Sequence, residues 1–106
     1  MAELNGKNIA IIATDGFEDV ELTSPKDAVE QAGATTKVIS TETGEIEGKK
    51  GAKVAVDAKT ADATADEFDA LILPGGTVNA DAIRTDADAV ALVKAFKAVS
   101  YTHLTL

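Results

Sequence analysis

The chain has 106 residues, 45% of them hydrophobic, with a net charge of −8, one histidine and no cysteine. That is enough for one domain and too little for two. The ten basic residues are scattered, so nucleic acid and anionic membrane surfaces are poor partners. Without cysteine there is no disulfide, thiolate metal site or thiol nucleophile in the chain, and a single histidine argues against a zinc site. No apolar run reaches membrane-spanning length and no charged-then-apolar leader precedes Asn8, so a cytoplasmic location is expected.

In chain order, 8-NIAIIAT-14 is a near-continuous apolar run of strand length, the pattern of a parallel strand covered on both faces. The segment 24-SPKDAVEQAG-33 carries helix punctuation: Ser24 as N-cap, Pro25 at the first helical position, Asp27 in capping-box position and Gly33 at the end. A second strand is expected over 35-TTKVIST-41. The alternation and three glycines of 44-GEIEGKKGAKVAVD-57 predict a hairpin on one edge of the sheet. A short helix is expected in 61-ADATADEF-68. Next, 69-DALILPGGT-77 is a buried strand stopped by a Pro-Gly-Gly turn. A helix follows over 79–99, broken near Thr85, with Val90, Val93 and Phe96 on one face. This β-α-β alternation implies a parallel sheet with right-handed crossovers.

Ligands bind outside the carboxyl ends of strands in such sheets. Two segments lie there: the acid-rich 14-TDGFEDVEL-22, with Asp15, Glu18, Asp19 and Glu21, and 74-PGGT-77. The acids and the glycine turn are expected to line one pocket. Gly75 and Gly76 permit close backbone approach and offer N–H groups to an anion or developing oxyanion. Each signal alone also fits a solvated acidic loop and a plain sharp turn.

Together, the stretches 15-DGFEDVELTSP-25, 67-EFDALILPGG-76 and 82-AIRTDADAVALVKAF-96 resemble the PfpI/ThiJ family of the class I glutamine amidotransferase-like superfamily. The resemblance covers about Asn8 to Ala98. It implies a flavodoxin-like three-layer α/β sandwich with a mainly parallel sheet. It also implies thiolate attack on a carbonyl, without metal or organic cofactor, by a stress-defence protease, deglycase or glyoxalase acting on a small carbonyl or peptide substrate. Family members usually form homo-oligomers. In this numbering Glu21 matches the glutamate that hydrogen-bonds the family's nucleophilic cysteine, Glu18 is the second acid of that motif, and Gly75 and Gly76 match the backbone donors beside the nucleophile. A protonated carboxyl can donate to a thiolate, whereas an ionised one disfavours it.

The family continues past this helix into another strand and a Cys-His-Gly turn, but this chain reads 99-VSYTHLTL-106. It is therefore expected to be a C-terminally truncated single partial domain, family-like over 8–98 and without activity of its own. The tail 100-SYTHLTL-106 reads as translated adapter or assembly-junction sequence, and His103 replaces no family residue. An acid that some members take from the loop after Pro-Gly-Gly falls on Ala80, one residue from Asp81. Truncation is expected to leave an unpaired strand edge and an aggregation-prone or molten chain. Two rival readings are a receiver-like module, with Asp57 as phosphoacceptor, and a flavodoxin-like module binding a phosphate or nucleotide at 74–77.

Overall fold

The computed structural model describes residues 5–76 and 82–95, with the backbone alone at 65, and the backbone of 96–98 and 102–105. Its centre is a five-stranded sheet in the order β5-β2-β1-β6-β7. The strands are β1 (Asn8–Ile12), β2 (Thr35–Ser40), β5 (Ala58–Lys59), β6 (Ala70–Leu73) and β7 (Thr102–Thr105), and every pairing is parallel. The expected parallel α/β fold is thus present. Along β1 the side chains alternate between two cores. Ile9, Ile11 and Ala13 pack with Phe17, Leu22, Val38, Ile46 and Ile72 on one face. Ala10 and Ile12 pack with Ile39, Phe68, Leu71 and Leu92 on the other. This double coverage is why β1 is apolar at consecutive positions.

Helix α1 (Asp19–Gln31) begins five residues before the expected Ser24 cap and contains Pro25 in its interior. Ser24 is exposed and caps nothing; Glu18 stands at the N-cap without a side-chain cap bond. The early start has physical support in Asp19 and Glu21, which place negative charge in the first turn, where the helix dipole favours it. The hairpin exists as β3 (Glu45–Glu47) and β4 (Lys53–Ala55), but it forms a separate two-stranded sheet rather than an edge of the main one. Its Ile46 joins the core that covers β1. Where a short helix was expected, two 3₁₀ turns occur at Thr60–Asp62 and Ala65–Glu67.

The second helical segment breaks as expected near Thr85: residues 82–85 are helical, Asp86 is not, and α2 runs Ala87–Ala98. Asp86 Oδ2 accepts the Ala89 amide at 2.9 Å and the hydroxyl of buried Thr60 at 2.7 Å, an N-cap that also ties α2 to the preceding turn. The inward stripe is set by Ala89 and Leu92, with Val93 and Ala95 packed against the core. Of the expected face, Val93 is packed, Val90 is half-buried, and the Phe96 side chain lies outside the described ones. The edge of β6 is not left open. β7 pairs with it, Leu71 opposite His103 and Ile72 opposite Leu104. Backbone ladders make few demands on side-chain identity, and Thr-rich segments suit strands.

Candidate functional site

Between β1 and β6 the chain direction across the sheet reverses: β2 lies on one side of β1 and β6 on the other. Such a switch point opens a crevice at the carboxyl ends of the two strands. The acid-rich loop leaves β1 here, and Pro74, Gly75 and Gly76 leave β6.

The two loops touch. Gly75 N–H donates to Glu21 Oε1 at 2.7 Å, and Glu18 N–H donates to the Gly75 carbonyl at 2.8 Å. Gly76 adopts φ +113°, and a Cβ there would collide with the Gly16 carbonyl and stand 3.1 Å from the Glu18 nitrogen. Only glycine fits this contact. The acid loop and the glycine turn thus join by direct hydrogen bonds. One detail differs from the resemblance: the single Gly75 N–H is occupied by Glu21, which leaves Gly76 as the candidate oxyanion donor of the two.

The four acids divide into separate roles. Asp15 Oδ1 accepts the Glu47 amide at 2.8 Å. Asp19, only 8% exposed, accepts the Lys50 amide at 2.9 Å on one oxygen and the Ala52 amide at 2.8 Å on the other. Burial opposes its charge, but the amides of Lys50 and Ala52 and the nearby Lys50 ammonium outweigh that and hold its pKa below the ordinary 3.8. Glu18 forms an ion pair with Lys49. Of the four side chains, Glu21 is the one bonded to the glycine turn, and its Oε2 carries further acceptor capacity.

Sequence reasoning missed Lys49 and the clamping role of Asp19. A signal existed: 48-GKKG-51 puts two adjacent lysines at a hairpin tip in a strongly acidic chain. Only the fold brings that tip over the acid loop, through Lys49 N to the Phe17 carbonyl at 3.0 Å and Gly16 N to the Glu47 carbonyl at 2.8 Å. Ala80 and Asp81 lie outside the described residues, as does the His103 side chain. Among the described residues no group of three His, Cys, Asp or Glu is arranged to hold a metal, and no helix is long and apolar enough to cross a membrane. A separate cleft of about 400 Å³ between α1 and the hairpin is lined by Leu22, Lys26, Val38, Val54 and Asp57 and contains none of the site acids.

The geometry disfavours both rivals. Asp57 lies between β4 and β5, before a main-sheet strand rather than at its carboxyl end, where its amide donates to the Val38 carbonyl and its Oδ2 accepts the Val38 amide, each at 2.8 Å. A phosphoacceptor would instead end a buried strand. A phosphate cradle at 74–76 would present amides to an anion, whereas the Gly75 amide is taken by a carboxylate.

The profile of the DJ-1/PfpI family matches residues 7–100. The chain belongs to this family. An uncharacterized protein of Staphylococcus saprophyticus is 52% identical over 83 residues, which are 77% of this chain and 48% of that protein. YraA of Bacillus subtilis, provisionally assigned as a cysteine protease, is 45% identical over 91 residues, 85% of this chain and 53% of its own length. The chain thus spans about half the length of these curated relatives. Among solved structures, the ThiJ/PfpI domain protein of Brachyspira murdochii superposes with TM-score 0.86 at 29% identity, covering 95% of this chain and 58% of that one. Oxidized DJ-1 of Toxoplasma gondii gives 0.84 at 26% identity, covering 94% and 55%.

Proposed function

We propose that this DJ-1/PfpI chain is the acid-and-glycine half of a cysteine-dependent site that acts on carbonyl groups of peptides, glycated amines or small dicarbonyls. The observation that carries this reading is the Glu21–Gly75 hydrogen bond at the switch point. With the Gly75 amide on Oε1, a neutral Glu21 carries its proton on Oε2 and can donate it to a thiolate, while Gly76 N–H serves the oxyanion. The reaction is thiolate attack on the carbonyl carbon. The thiol is absent from these 106 residues, so this chain by itself has no such activity and the whole gene product supplies the cysteine from a later strand. Relatives about twice as long support this. A cytoplasmic stress-defence role and homo-oligomeric assembly belong to the same proposal.

The test is to sequence the source DNA past the codon for Ala98, express the continuous frame, and assay it on a peptide, a glycated amine and a dicarbonyl. Cysteine-dependent turnover that Glu21→Gln lowers by about 100-fold or more in kcat is expected. Full activity in Glu21→Gln, or a verified stop with no continuing frame, would overturn the reading.

A further inference from the structure

Three carboxylates, Glu18, Asp19 and Glu21, stand within four residues. Carboxylates this close compete for protons unless each has its own compensation. Asp19 has two amides and Glu21 has the Gly75 amide. Glu18 has a side chain instead, the ammonium of Lys49.

We propose that Lys49, at the tip of the β3–β4 hairpin, is a positioning residue of this site: by pairing with Glu18 it leaves Glu21 as the one acid that answers to Gly75. The inference rests on the reading of Glu21 as the site acid. Lys49 is placed by backbone contacts that do not need its own side chain. Its N–H binds the Phe17 carbonyl, Glu47 is held on both its carbonyl and its amide by Gly16 and Asp15, and Asp19 clamps Lys50 and Ala52. The charge therefore arrives on a tip that is fixed without it. The groups facing it are Glu18 on the loop and Asp19 and Glu21 on α1. Asp15, Glu47 and Lys50 lie on the same loop and hairpin. The hydrogen bond and charge of Glu18, against a smaller opposition from burial, raise the Lys49 pKa, and the charges of Asp19 and Glu21 add to this. Without Lys49 the Glu18 carboxylate loses its ion-pair partner beside Glu21.

The experiment follows the Gly75 amide resonance of the ¹⁵N-labelled 106-residue chain against pH, because this amide reports the charge on its acceptor. Lys49→Met is expected to move the Gly75 profile to higher pH, Lys49→Arg to leave it near wild type, and Glu18→Gln to move it to lower pH. The double variant is expected to return towards wild type, the signature of coupling. A Gly75 profile unmoved in Lys49→Met, whatever the change in melting temperature, reduces Lys49 to a clamp and overturns the proposal. Should Lys49→Met fail to fold, Glu18→Gln carries the test, and an unmoved profile there overturns it equally. This readout is independent of turnover. Coupling with full activity in Glu21→Gln of the whole protein would sink the functional reading alone; loss of activity with no coupling would sink only the role of Lys49.

Discussion

Asp19 shows how one side chain can be read correctly as part of a motif and still be misjudged in its work. In the sequence it is one acid among four; in the fold its two oxygens close the hairpin tip against α1. Because its folded pKa is depressed, the stability it contributes is fully present above its ordinary value of 3.8 and is lost as pH falls through the folded value. Glu30, lowered chiefly by the Thr36 hydroxyl, and Glu67, lowered chiefly by the Thr64 amide, act in the same direction. Urea midpoints are therefore expected to be flat from neutral pH to about 5 and to fall below about 4. Asp19→Asn should lower the neutral-pH midpoint and flatten part of that fall, since its amide NH₂ would face a backbone N–H. An unchanged acid limb in Asp19→Asn would show that the clamp is not electrostatic. Gly76→Ala combines a left-handed backbone with a collision at Gly16, and an expected cost of about 1–3 kcal/mol is measurable by the same titration.

At the scale of elements, β1, β2 and β6 were legible, whereas β5, β7 and the start of α1 were not. Ser24-Pro25 is a strong local start signal, yet α1 begins at Asp19. The bonds from Glu18 N to the Gly75 carbonyl and from Gly75 N to Glu21 hold the first turn from outside the helix. An interior proline normally costs about 3 kcal/mol, so these tertiary bonds and the burial of Leu22 override it. The start of α2 is the reverse case. Asp86 had no assigned role, although its side chain makes the cap. Asp86→Ala is expected to cost about 1 kcal/mol from the lost cap and somewhat more because Thr60, buried, loses its acceptor. A urea midpoint equal to wild type would remove the cap from this account.

For the whole molecule, the sheet carries both cores, and a defect on one face of β1 is felt by the entire chain. Ile12 is fully buried among Ile39, Phe68, Leu71 and Leu92. Ile12→Ala is expected to cost about 2–5 kcal/mol, a large share of what a domain this small holds, and thermal melting followed by circular dichroism would measure it. The expected open apolar surface is not seen among the described residues, where Val20, 65% exposed, is the one large apolar side chain largely in solvent. Among the described strands the outer sides of β5 and β7 remain unpaired, edges able to recruit another chain. Concentration-dependent association is expected in analytical ultracentrifugation, and a sharp two-state melt of a strictly monomeric species would argue against it.

The sequence by itself determined the parallel α/β class and the two loops of the candidate site. Those features are written in local apolar runs and in a Pro-Gly-Gly turn, and neither depends on distant neighbours. Only the tertiary structure decided which acid does what. Asp15, Glu18, Asp19 and Glu21 are chemically alike and adjacent in the chain, so nothing local distinguishes them. Their partners, Glu47, Lys49, Lys50 with Ala52, and Gly75, come from 31 to 54 residues away. A carboxylate's role is set by the donor that reaches it, and it is the fold that delivers the donors.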